Sequence, residues 1–72
     1  MRKDAVTNLV YEYIQAYFHE HGFAPSMRDI SEGCYMSPSN VVRYLDKLEA
    51  QGRISREVGK PRSIALLDVD DP

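Results

Sequence analysis

In the N-terminal segment, Val6, Leu9, Val10, Tyr13, Ile14 and Tyr17 recur at spacings of three and four, which places them on one face of a helical repeat. The pattern predicts a helix over 4–21, with Asp4 as N-cap and Gly22 as stop. Pro25 keeps Ala24 out of the helical region, so Phe23-Ala24-Pro25 reads as an extended connector. Ser26-Met27-Arg28-Asp29 has the form of a capping box and opens a short second helix ending near Gly33. Met27, Ile30 and Cys34 fall at core spacing there, and Cys34 reads as a small buried apolar group. Ser37-Pro38 starts a third helix, an N-cap followed by proline at the first helical position, which runs to about Gln51 and stops at Gly52. Val41, Leu45 and Leu48 share one stripe of it with Tyr44 alongside, and Ser39, Arg43 and Lys47 occupy the opposite side, flanked by Asn40 and Asp46.

After Gly52 the period drops from 3.6 to 2. Ile54, Arg56 and Val58 alternate with Ser55 and Glu57, Gly59-Lys60-Pro61-Arg62 turns the chain, and Ser63 to Leu66 run back. An isolated hairpin is marginal, so Ile54, Val58, Ile64 and Leu66 must rest on the helices. The expected fold is mainly α with a small β-hairpin, a three-helix winged helix-turn-helix, over residues 1–67. Residues 68–72 form an acidic tail or the start of a linker.

Composition narrows the class. Seventy-two residues make one small domain, and a lone cysteine excludes a disulfide framework or a Cys-rich metal site. No apolar run approaches the length of a membrane span, so no membrane partner is expected and the chain reads as cytoplasmic. His19 and His21 fall on opposite flanks of the first helix with no third ligand near, and neither a metal nor any other cofactor is expected.

The net charge of −2, nine Lys and Arg against eleven Asp and Glu, argues mildly against a polyanion partner. Its distribution changes that. Asp68, Asp70 and Asp71 hold three of the acidic charges in the last five residues, whereas residues 53–63 carry Arg53, Arg56, Lys60 and Arg62 against Glu57 alone.

A helix of this kind fits a major groove, where its N-terminal residues meet base edges. Ser39, Asn40 and Arg43 stand there; asparagine can pair with adenine through two bonds, and arginine can fork onto guanine. Val42 is placed to touch a thymine methyl, and Lys47 to reach a phosphate. Ser26 and Arg28 mark a helix start suited to the DNA backbone, and Arg56, Lys60 and Arg62 supply the wing to phosphates or a minor groove.

Gly22 to Ile30, the run Ser37-Pro38-Ser39-Asn40-Val41-Val42-Arg43-Tyr44-Leu45-Asp46-Lys47-Leu48-Glu49, and the stretch Gly59-Lys60-Pro61-Arg62-Ser63-Ile64-Ala65-Leu66 together resemble the N-terminal domain of the LexA repressor family, in register over nearly all of 5–67. The resemblance implies a DNA-binding domain of a dimeric transcriptional repressor, a homodimer on a two-fold double-stranded operator. It puts Ser37 beside Ser39, Asn40 and Arg43 in the base-reading part. Two departures stand out. The turn Cys34-Tyr35-Met36 lacks the family's common glycine and looks one residue shorter. The family's self-cleaving Ser/Lys protease domain has no counterpart in these residues, so the chain is expected not to be an enzyme.

Each of these residues also has a plainer role. Polar side chains on an outer helix face are usually only solvated, basic residues on a hairpin discourage edge pairing, and Arg43 and Asp46, three apart, can pair with each other. The competing function is a winged-helix module that docks another protein through the third helix and wing, since fold alone does not decide function.

Overall fold

The computed structural model describes residues 5–57 and 59–67. Asp4, Val58 and the acidic tail therefore lie outside the described residues. The elements follow in the order α1 (Ala5–His21), α2 (Met27–Gly33), α3 (Pro38–Ala50), β1 (Ile54–Ser55) and β2 (Ala65–Leu66).

Local chemistry fixes the helix ends. The Asp29 amide donates to Ser26 Oγ at 3.1 Å, and the Ser26 amide donates back to the Asp29 carboxylate at 3.0 Å, completing the capping box. Ser37 Oγ accepts from the Asn40 amide at 3.3 Å, with Pro38 in the first turn of α3. At the far end, Gly52 takes φ +76° while its amide bonds Glu49 O and the Arg53 amide bonds Leu48 O, the paired bonds of a Schellman stop. That stop turns the chain directly into β1.

The three helices and the hairpin close on one core of Val10, Ile14, Ala24, Ile30, Val41, Leu45, Leu48, Ile54 and Ile64. The core stripe of α3 is Val41, Leu45 and Leu48, as its period predicts. On α1 the buried stripe is Thr7, Val10 and Ile14, with Tyr11 and Phe18 packed against it. Val6 and Leu9, which share the apolar face in the sequence pattern, are exposed at 39% and 60%. The apolar arc of α1 is wider than the surface α2 and α3 can cover, and its Val6–Leu9 edge faces the short turn between them. Met27 is likewise exposed, and Cys34 is only partly buried at the core's edge.

The wing is shorter than its alternation suggests. Ile54 pairs with Leu66 and Ser55 with Ala65, antiparallel, and the ladder ends there. Ser63 Oγ then bridges the amide and carbonyl of Glu57, both at 3.0 Å, closing the loop with a side chain in place of further backbone pairs. Ile54 and Ile64 are buried beneath it and Leu66 is half-buried.

Tyr35 occupies the turn between α2 and α3 at φ +56° while 93% exposed. Its left-handed backbone costs a non-glycine residue about 1–2 kcal/mol, more than the 0.5–1 kcal/mol that glycine loses in chain entropy. Tyr35→Gly is therefore expected to stabilise the domain by up to about 1 kcal/mol, read as a raised urea midpoint at unchanged m-value. A lowered midpoint would mean that the exposed ring makes contacts worth more than the strain.

Candidate nucleic-acid interface

The exposed side of α3 carries Ser39, Asn40, Arg43 and Lys47, with Ser37 at its N-cap and Ser37 Oγ 3.5 Å from Ser39 Oγ. Among the described residues, the Asn40 side-chain carboxamide and the Arg43 guanidinium take no intramolecular hydrogen bond or ion pair. Lys47 lies over the Tyr44 ring, 5.7 Å from its centroid. Val42 is half-buried and lines a cleft of about 330 Å³ between α3, the start of α2 and the wing, with Met27, Lys60, Pro61 and Ile64 among its walls.

Asp46 and Glu49 would oppose an anion at this helix. Instead of pairing with Arg43, Asp46 bonds the Arg56 guanidinium, whose Nε also meets Glu49 Oε1 at 3.2 Å. With its side chain only 15% exposed, Arg56 is a tie between wing and α3 that offsets one of the two acidic charges on the helix, so that together with Arg43 and Lys47 the local balance is positive. Sequence counts the charges of both elements but shows nothing of this pairing.

At the start of α2, the capping box takes the Ser26 and Asp29 amides, so neither is open to a phosphate. Arg28 pairs with Glu32 at 3.5 Å on an open surface, a contact worth little that a phosphate can displace. On the wing, the Lys60 ammonium meets an equally exposed Glu57 at 3.5 Å, its one ion pair among the described residues. Arg62 turns inward: its Nη1 donates to Ala24 O at 3.0 Å and to Tyr17 Oη at 3.2 Å, and lies 3.0 Å from Asp29 Oδ2. The structure thus brings Ser37, Ser39, Asn40, Arg43 and Lys47 together on one face, with Lys60 across the cleft that Val42 lines, and commits Arg56 and Arg62 to intramolecular partners.

Sequence reading missed Tyr17 and Arg53 in this region. Tyr17 donates to Asp29 Oδ2 at 3.1 Å, and Arg53 bonds Asn8 at 2.8 Å while stacked 4.1 Å from the Tyr11 ring. The Ser26 amide holds the Asp29 carboxyl below the ordinary carboxylate range against the effect of its burial, with Tyr17 and Arg62 adding to the stabilisation. Burial pushes the Cys34 thiol up, so it is a poor nucleophile at neutral pH. Among the described residues no three His, Cys, Asp or Glu side chains converge, and no helix is long and apolar enough to cross a membrane.

Three helices with a tight turn before the third, followed by a hairpin beside it, define a winged helix-turn-helix. Residues 7–63 match the model of the LexA DNA binding domain, and the chain belongs to that family. It is 38% identical over 63 residues to a LexA repressor of Listeria welshimeri, covering 86% of this chain and 31% of the relative. The LexA repressor of Staphylococcus carnosus is 39% identical over 59 residues, 81% of this chain and 28% of its own. That of Herpetosiphon aurantiacus is 38% identical over 64 residues, 88% and 30%. The chain thus spans under a third of the length of the relatives it matches.

Proposed function

We propose that this domain binds double-stranded DNA sequence-specifically as the operator-reading part of a transcriptional repressor. In this reading α3 lies in the major groove, with Ser37, Ser39, Asn40, Val42 and Arg43 on base edges and Ser26, Arg28, Lys47 and Lys60 on the backbone. Arg56 and the half-exposed Arg62 contribute charge beside the wing while held by their intramolecular partners. Two copies on a two-fold operator would read half-sites about one helical turn apart. The observation that carries it is the exposed face of α3, where among the described residues the side chains of Asn40 and Arg43 have no intramolecular partner while Arg56 engages Asp46 and Glu49. Family membership supports the choice of ligand.

The test is a fluorescence-anisotropy titration of mixed-sequence duplexes over a salt series. Each phosphate neutralised by Lys or Arg steepens log K against log salt by about 0.9, so the three cations Arg28, Lys47 and Lys60 predict an affinity loss of roughly 40-fold between 50 and 200 mM salt. No saturable binding even at 50 mM salt would sink the DNA reading and favour a protein-docking module.

A further inference from the structure

Two residue pairs are too short a ladder to fix the direction of a nine-residue loop, so side chains must set where the wing points. The contacts of Arg62 are the ones suited to it. Both hydrogens of its Nη1 are used, one on Ala24 O in the connector before α2 and one on Tyr17 Oη of α1. Tyr17 passes its own hydrogen to Asp29 Oδ2, the carboxylate that also faces Arg62 at 3.0 Å, which closes a triangle of three side chains. The guanidinium carbon lies 5.2 Å from the centroid of the Phe23 ring, which in turn stands edge-on to Tyr17. These partners are 33 to 45 positions away in the chain, and they belong to α1, the connector and α2. Arg62 holds this pose from a left-handed backbone at φ +55°, a conformation unfavourable for a side chain of its size.

We propose that Arg62 is a positioning residue: with Tyr17, Ala24 O and Asp29 it clamps the wing to the helical body and so presents Lys60, two residues earlier, to a nucleic-acid backbone. The clamp assigns Arg62 a role other than the phosphate contact its charge suggests, and its consequence for DNA rests on the reading above. All three polar contacts run from Nη1 alone, so what a lysine lacks is the planar, delocalised face that lies 5.2 Å from the Phe23 centroid; its compact, strongly hydrated ammonium cannot replace that stacking.

The experiment uses the whole chain with Arg62→Lys, Arg62→Gln and Asp29→Asn, and with Ser26→Ala as a control that weakens the α2 cap without touching Arg62. Amide exchange followed by NMR is the first measurement. The clamp predicts that all three variants speed exchange of the Leu67 amide, bonded to Arg53 O at 2.9 Å, by about fivefold or more, while Val41 in α3 and the Ser26→Ala control stay unchanged. Unchanged Leu67 exchange in Arg62→Lys and Asp29→Asn overturns it.

Duplex affinity is the second measurement. Asp29→Asn removes a negative charge, so a phosphate-contacting Arg62 would leave binding equal or tighter; the clamp predicts weaker binding by about fivefold. Arg62→Lys should also weaken binding, Arg62→Gln more so, and neither should lose anything further in a Lys60→Ala background. Retained affinity in Arg62→Lys together with tightening in Asp29→Asn overturns the role in presentation. If the unmodified chain binds no duplex, the DNA reading falls and the exchange result still decides the clamp.

Discussion

Gly33→Ala should lower the stability of the domain by about 1–2 kcal/mol, although alanine is the better helix former. Gly33 is the last residue of α2, and a Cβ there would overlap Cε1 and Cζ of Tyr13 and lie 2.6 Å from its hydroxyl oxygen. The ring is half-buried against the core, and its hydroxyl donates to Asp29 O at 3.1 Å. Helix propensity favours alanine by about 1 kcal/mol. Overpacking costs about 1–3 kcal/mol, and displacing the Tyr13 hydroxyl forfeits about 1 kcal/mol more. The losses exceed the gain, and for a chain of this length, with a total stability of roughly 4–11 kcal/mol, the shift is large. A urea melt measures it, and a double-mutant cycle assigns the cause. With Tyr13→Ala already in place the clash is gone, so Gly33→Ala should become neutral or stabilising. Stabilisation in the unmodified chain would show that Tyr13 swings aside freely.

Gly33 also shows where sequence reading stops. A glycine at the end of a short apolar pattern reads as a helix stop, and nothing nearby reveals that a ring from α1, twenty positions earlier, lies against it. What was legible is local. The Ser26–Asp29 box, the Ser37-Pro38 start and the Gly52 stop each lie within a few residues, and each bounds a helix where the sequence indicates. The stripe of α3 was legible because both of its faces are sharply defined.

The α1 arc was misread at Val6 and Leu9 because periodicity tells which residues share a face, whereas the neighbouring helices decide how much of that face is covered. Charge was misread for a similar reason. Counting residues 53–63 gives a basic wing, but Asp46 and Glu49 bind Arg56 and Asp29 meets Arg62, so much of that charge is balanced across the fold. On the candidate base-reading face Val42 is half-buried toward the wing, whereas the Arg43 side chain is exposed and has no partner among the described residues.

That isolation makes Arg43→Ala the sharpest test of the proposed interface. Arg43 is exposed and without an intramolecular partner among the described residues, so its removal should change stability by no more than about 0.5 kcal/mol. Any loss of binding then belongs to the complex. A bidentate arginine–guanine contact discriminates by about 1–3 kcal/mol, which corresponds to roughly 5- to 150-fold in affinity for the preferred duplex. Selection from a pool of randomised duplexes, run in parallel with the unmodified chain and Arg43→Ala, reads this directly. The expected outcome is one G·C position whose preference disappears in the variant while the others persist. Lys60→Ala should behave differently, weakening all duplexes alike and reducing the salt slope by about one. The two variants thus separate base reading from backbone attraction on the same scaffold. Were the selected sequence identical with and without the Arg43 side chain, α3 would still be a polar surface, but not one that reads bases through Arg43.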